Sequence, residues 1–260
     1  LMLSGLVVLE QRFDPERFLQ LVQEHRIDTA YMVPIMYVRL LRLPREVRER
    51  YDISSLRFIA STGSPCAPEV KKAMIEWMGP IINETYASSE SGLVTFIGSA
   101  DALTHPGSAG LPLQDAEVRI LDRQGQALPT GEVGVIEVRG PNVFQGYWQM
   151  PEKTAQEFRA DGFFITGDMG FIDDRGYVHI VGRAKDLIIA GGLNLYPAEV
   201  EAALDEIPGV AESAVIGVPH PDLGEAVVAV LRADDPALDE AAVIAALADR
   251  LARFKQPRAV

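Results

Sequence analysis

The sequence predicts an α/β protein: a parallel, helix-covered sheet, then a β-rich subdomain, then a small α+β domain. Three observations carry that expectation. Strand-like and helix-like segments alternate from residue 6 to residue 86. Short apolar runs between Gly, Asp and Pro turns fill Gly110 to Val181, and from Asp186 strands and helices mix again. The first pattern favours parallel strands covered by helices, and the second favours closely spaced β-strands.

The elements follow in order. LVVLEQRFDPERFLQLVQEHRIDTAYMVP, residues 6 to 34, reads strand, helix, strand. Asp14 is placed to cap the helix and Pro15 to occupy its first turn, while Phe18, Leu19 and Val22 recur with helical spacing. A second helix is expected at about 34 to 43 and a buried strand at LRFIAST, 56 to 62. APEVKKAMIEWMG, 67 to 79, is an amphipathic helix ended by Gly79 and Pro80, and IINETY, 81 to 86, is the next strand. EVRILDRQGQALPTGEVGVIEVRG, 117 to 140, typifies the β-rich stretch at about 110 to 181. After it come strand DLIIA, turn GGLN, a helix from Pro197, strands SAVIGV and EAVVAVL, an acidic loop DDPALDEAA and a helix over about 238 to 252. The domain boundary falls near Arg183 to Asp186, giving a large part at 1 to 183 and a small mobile domain at 184 to 260. No internal repeat or low-complexity segment interrupts this order.

Composition narrows the function classes. With 260 residues and 48% apolar content the chain can bury a sizeable core. A net charge of -13 argues against nucleic-acid binding, which concentrates Lys and Arg into a face or stripe. The lone cysteine, Cys66, excludes an internal disulfide and fits a reducing, cytoplasmic setting; in its Pro-Cys-Ala-Pro turn it reads as a small packed residue. His25, His105, His179 and His220 lack metal-ligand spacing, so any metal is expected to arrive with a nucleotide. The opening LMLSGLVVL is too short to span a bilayer and has no basic region before it, so neither a transmembrane helix nor a secretory signal is expected. Neither Leu1 nor the final RFKQPRAV resembles a natural domain boundary, and the chain is expected to be a fragment or a partial protein. Oligomeric state is not legible.

The strongest chemical signal is the run GRAKDLIIAGGLNLYPAEVE, 182 to 201, shortly after the triplet Thr166, Gly167 and Asp168. A carboxylate, Asp168, and a guanidinium, Arg183, come from two turns flanking the strand-like YVHIV, a pairing suited to the two hydroxyls of a ribose. The bland readings are an Asp that merely sits in a turn and a Gly191-Gly192 pair that closes a hairpin. With STGSP at 61 to 65, TYASSE at 85 to 90 and GEVGVIEVRGPNVFQGYWQMPEKT at 131 to 154, these blocks resemble the AMP-forming acyl-CoA synthetases. That family lies in the adenylate-forming superfamily, which also holds luciferases and the adenylation domains of peptide synthetases. The resemblance covers nearly the whole chain. The block at 131 to 154 and the stretch from GFFITGD at 162 to YPAEVE at 201 are highly specific, the two shorter blocks are weak in isolation, and the wording from Gly140 to Gly217 is nearest to malonyl-CoA synthetase and fatty-acid-CoA ligases.

The resemblance implies ATP, Mg2+ and coenzyme A, and makes the chain part of a large adenylate-forming domain followed by a small mobile one. Gly63, Ser64 and Pro65 would lie beside the adenine and acyl pocket; the same residues equally suit a plain strand-to-helix turn. STGSPCAP is not a phosphate loop, because no Lys follows in GxxxxGK[ST] order. The family's own phosphate loop is a Ser/Thr/Gly-rich segment far upstream, absent here. Thr85, Tyr86 and Ala87 would line the nucleotide and acyl pocket, Ser89 would contact phosphate, and Glu90 would ligate Mg2+ bound through ATP. Ala87 replaces the family's usual glycine, adding a methyl group in the path of the acyl chain, and Ser89 replaces a threonine. Gly146, Tyr147 and Trp148 are read as packing a turn. Asp168 and Arg183 would take the ribose hydroxyls and Lys185 the hinge position. Gly191, Gly192 and Asn194 would form the loop that swings toward the pantetheine thiol, with Glu199 structural. Lys255 is too early to be the family's C-terminal lysine.

These assignments imply ATP-dependent activation of a carboxylic acid to an acyl-adenylate and then to an acyl-CoA. At Thr85 the malonyl-specific enzymes carry an arginine, and a threonine cannot pair a second carboxylate, so a monocarboxylic fatty or aryl acid is expected. Residues 1 to 260 alone are expected to form no adenylate. The alternatives are an adenylation domain without CoA transfer, against which GGLNLYPAE speaks, a luciferase-like oxygenase without a visible oxidation partner, and a non-catalytic nucleotide-binding remnant.

Overall fold

The computed structural model describes residues 5 to 235 and 238 to 260. They form two compact units, one of Leu1–Val118, Val138–Phe164 and Asp173–His179, the other of Arg119–Glu137, Ile165–Ile172 and Ile180–Val260. The first four residues of the opening LMLSGLVVL, and Pro236 and Ala237 of the acidic loop, lie outside the described residues.

The first unit begins with helix α1 (Pro15–His25), whose N-cap Asp14 accepts from the Arg17 amide at 2.8 Å with Pro15 in the first turn. Strand β1 (Thr29–Met32) leads to α2 (Pro34–Leu41), the short α3 (Arg45–Arg48) and β2 (Phe58–Ser61). Helix α4 (Pro68–Met78), ended by Gly79, β3 (Ile82–Ser88), β4 (Gly92–Ile97), α5 (Ser99–Thr104) and β5 (Leu111–Pro112) complete the run. The sheet order is β1-β2-β3-β4-β5. β1, β2 and β3 pair in parallel, as the alternating pattern predicts, and β4 and β5 add antiparallel. Leu19 and Val22 of α1, Tyr37 and Leu40 of α2 and Met74 of α4 form one core with Met32, Ile59 and Ile82 of the parallel strands. Burying each large apolar side chain contributes about 1.5–3 kcal/mol.

One strand expectation fails. Residues 6 to 9 form no strand; Leu6, Val7 and Leu9 are exposed, and β1 stands at the end of the sheet order. A strand exists only where a neighbour supplies ladder hydrogen bonds, and no described strand does so for this segment.

The β-rich stretch supplies β6 (Glu117–Leu121), β7 (Gly134–Arg139), helix α6 (Pro151–Glu157), β8 (Phe164–Ile172) and β9 (Val178–Arg183), with sheet order β6-β7-β8-β9. Strand residues 119–121, 134–137, 165–172 and 180–183 belong to the second unit. There Arg119 reaches Glu137, wholly buried on the adjacent strand, at 2.8 Å.

The rest of the second unit is an α+β layer. After a 3-10 turn (Ala184–Asp186) come β10 (Ile188–Ala190), β11 (Leu193–Leu195), α7 (Pro197–Asp205), β12 (Val210–His220), β13 (Gly224–Ala233) and α8 (Glu240–Leu247). The sheet order is β11-β10-β13-β12, antiparallel throughout. Ile188, Leu195, Val215 and Val227 of the sheet pack with Val200 and Leu204 of α7 and Val243 and Leu247 of α8. The last helix is shorter than expected. Asp239 caps its start, but the chain turns after Leu247 and the Gln256 side chain donates from Nε2 to the carbonyls of Ala248 and Leu251, satisfying groups that a continuing helix would have used.

Candidate functional site

In the first unit the expected residues gather at the carboxyl ends of two parallel strands, where open α/β sheets bind ligands. Ser61 ends β2 opposite Glu84 of β3, so the turn carrying Gly63 and Ser64 leaves the sheet beside Thr85. The Thr85 hydroxyl lies 3.5 Å from the Ser61 carbonyl. Gly63, with φ +89°, and Ser64 are exposed, whereas Tyr86 is only 8% exposed. The register slips between Tyr86 and Ala87, a bulge of the kind that re-aims side chains beside functional sites. Ser88 and Ser91 close the β3–β4 turn on each other: the Ser91 amide donates to Ser88 Oγ at 2.9 Å and the Ser88 amide to Ser91 Oγ at 3.1 Å. Ser89 and Glu90 sit at the tip.

Glu90 is held from outside its own hairpin. Its carbonyl accepts from the Phe144 amide at 2.7 Å and its Oε1 from the Tyr147 hydroxyl at 3.1 Å. Burial, and then Glu90, push the Tyr147 phenol above its usual range. From sequence, Gly146, Tyr147 and Trp148 are expected to pack a turn. Trp148 instead is 87% exposed, and Tyr147 reaches the candidate metal carboxylate.

Behind the Gly63 turn lies a buried polar group. Lys71 of α4 and Glu84 of β3, 3% and 5% exposed, form an ion pair. Burial raises the Glu84 carboxyl above its usual range even though Lys71 opposes it. Burial, reinforced by Glu84, pushes the Cys66 thiol up to about 12, which suits an inert packed residue and not a nucleophile.

The second unit brings Asp168 and Arg183 together. Asp168 is 6% exposed, and its Oδ1 lies 2.9 Å from Arg183 Nε. The TGD triplet is not a turn as expected: it lies inside β8, kinked at Gly167 with φ +75°. Thr166 Oγ1 donates to the Ile136 carbonyl at 2.8 Å and accepts from the Asp168 amide at 3.0 Å, which lets the strand continue through the kink. Because β8 and β9 are neighbours, Asp168 and Arg183 meet across strands instead of from two flanking turns.

Lys185 is exposed on the 3-10 turn Ala184–Asp186. Gly191 and Gly192, with φ +60° and +81°, make the two-residue turn between β10 and β11, where two left-handed residues in succession favour glycine. Asn194 lies on β11 opposite Ile189, so the expected GGLN turn is two residues of turn followed by strand. Glu199 accepts from Lys255 Nζ at 2.5 Å.

Among the described residues no group of three or more His, Cys, Asp or Glu could hold a metal, and no helix is long and apolar enough to cross a membrane. A cation brought by nucleotide phosphates fits a lone carboxylate such as Glu90, since Mg2+ is commonly held by one or two carboxylates plus phosphate oxygens.

Comparison with known proteins matches residues 1–148 to the family of AMP-binding enzymes and residues 199–260 to the AMP-binding enzyme C-terminal domain. A feruloyl-CoA synthase from Amycolatopsis sp. is 40% identical over 262 residues, covering all of this chain and 52% of that protein. The ATP-bound crystal structure of MatB from Rhodopseudomonas palustris superposes with a TM-score of 0.85 at 45% identity, over 97% of this chain and 50% of that one. The amide bond synthetase McbA from Marinactinospora thermotolerans gives 0.87 at 35% identity, over 99% and 52%. The chain thus spans about half the length of the relatives it matches.

Proposed function

The chain belongs to the AMP-binding enzyme family, and from that premise we propose that the complete protein is an acid-CoA ligase. It joins a monocarboxylic fatty or aryl acid to coenzyme A through an acyl-adenylate, releasing AMP and pyrophosphate. The observation that carries this reading is the match to an acid-CoA enzyme along the whole of this chain and 52% of that enzyme, 40% identical, together with the Asp168–Arg183 pair on adjacent strands.

In the first half-reaction a carboxylate oxygen attacks the α-phosphorus of ATP and pyrophosphate leaves. In the second the thiol of coenzyme A attacks the acyl carbon and AMP leaves with the carboxylate oxygen. Positioning and charge stabilisation do most of the work. Asp168 and Arg183 hold the ribose hydroxyls, Gly63, Ser64, Tyr86 and Ala87 border the base and acyl chain, and Ser89 meets phosphate. Glu90 would ligate the Mg2+ carried by the nucleotide, which would neutralise phosphate charge when bound. Thr85 in place of a cation supports an acid with one carboxylate. Lys185 serves as hinge for a mobile domain at residues 184 to 260, and Gly191, Gly192 and Asn194 face the thiol. The lone cysteine supports a cytoplasmic setting.

The similarity to McbA favours a second reading, adenylation followed by transfer to an amine instead of a thiol. The test uses the complete reading frame that carries these residues: AMP release from ATP across a panel of acids, with and without coenzyme A, and products identified by mass. AMP release that requires coenzyme A and yields an acyl-CoA is the expected result, with residues 1 to 260 alone releasing none. Adenylate that passes to amines and never to the thiol supports the second reading, and silence across the panel contradicts both.

A further inference from the structure

Tyr147 stands on a segment without regular structure, 57 residues from Glu90 in sequence, yet several contacts hold it. A Cβ at Gly146, where φ is +145°, would lie 2.6 Å from the Thr154 methyl, so only a glycine lets this backbone close on α6. The next amide, of Tyr147, then donates to Thr154 Oγ1 at 2.9 Å. Phe144 meets the Tyr147 ring edge-on at 4.9 Å, and the Lys153 ammonium lies 4.2 Å from its centroid. The same segment fixes the Glu90 main chain through the Phe144 amide. Backbone and side chain of Glu90 are therefore set by one external element.

We propose that Tyr147 is a positioning residue for Glu90, donating to Oε1 so that Oε2 is presented to the metal ion of a bound metal–nucleotide complex. This rests on the assignment of Glu90 given above. A glutamate at a hairpin tip samples many rotamers, and freezing them on ligand binding costs affinity. The phenol bond removes that cost beforehand. Lys153 above the ring strengthens the phenol as a donor. Sequence spacing could not reveal the link, because the two motifs meet only in the folded chain.

The experiment measures binding by calorimetry, on the complete protein, of an ATP analogue with a methylene bridge between the α- and β-phosphorus, with Mg2+ and without metal. Tyr147→Phe keeps the ring and its contact with Phe144. It should weaken the Mg2+ complex by about threefold to tenfold, the range of one hydrogen bond, and leave metal-free binding unchanged. Glu90→Gln should show the same metal-dependent loss, and larger. Equal losses with and without Mg2+ in Tyr147→Phe, or no loss at all while Glu90→Gln loses affinity, overturn the role of Tyr147 alone. Unchanged binding in Glu90→Gln overturns the assignment of Glu90 and the proposal with it. If Tyr147→Phe does not fold, Lys153→Met decides: a metal-dependent loss of about twofold supports the proposal, and none contradicts it.

Discussion

At the residue scale the Asp168–Arg183 pair carries the most chemistry. A nearly buried carboxylate facing a half-exposed guanidinium offers acceptor and donor side by side, the complement of two vicinal hydroxyls. Asp168→Asn keeps the shape and removes the charge. It is expected to lower kcat/KM for ATP in the complete protein by about tenfold, the cost of a lost charged hydrogen bond, while KM for coenzyme A stays put. Steady-state kinetics with each substrate varied in turn checks this, and an unchanged ATP dependence contradicts it. Their pairing was legible in sequence as a carboxylate and a guanidinium around a strand-like YVHIV; their setting was not. A Gly-Asp dipeptide reads as a turn, whereas here the Thr166 hydroxyl, bonded to Ile136 thirty residues away, helps to hold it within a strand. Tyr147 was legible as a motif member and illegible as a partner of Glu90, since no local spacing connects the two.

At the element scale α4 and β3 are tied by Lys71 and Glu84, immediately behind the turn that carries Gly63. A buried ion pair seldom outweighs a well-packed apolar one, but breaking it leaves a charge stranded. Lys71→Met alone is expected to cost about 3–5 kcal/mol, whereas Lys71→Met with Glu84→Leu is expected to be close to neutral. The pH dependence follows from the direction of the Glu84 shift. Its folded carboxyl lies above the unfolded one, so the folded state holds the proton between the two values and stability falls as pH rises through that window. The double variant loses this decline. Urea unfolding of the complete protein across the acid range measures both effects, and an unaltered slope contradicts the assignment. Helix starts were the most legible elements, with Asp14, Pro15, Pro68 and Pro197 where the structure uses them. The strand at residues 6 to 9 failed because strand formation depends on a partner that sequence pattern does not display. β4, absent from the sequence reading, forms because the Ser88–Ser91 bonds fold the chain back on β3.

At the scale of the whole molecule, a net charge of -13 makes local cationic groups decisive for the proposed binding of two polyanions, and the proposal sets Arg183 at the nucleotide. The alternation of strand and helix, the β-rich middle and the final α+β layer were all legible, since each follows from short-range periodicity. How the chain divides was less so. The compact units interleave along the chain, with 119–137 and 165–172 grouped with the C-terminal residues, a division that chain order does not display. The central claim is a two-step transfer in which the acid's own oxygen ends on AMP. The complete protein, given an acid with 18O in both carboxylate positions, ATP and coenzyme A, is predicted to yield AMP carrying one 18O by mass. AMP without label, or label in inorganic phosphate beside ADP, would contradict the adenylate route.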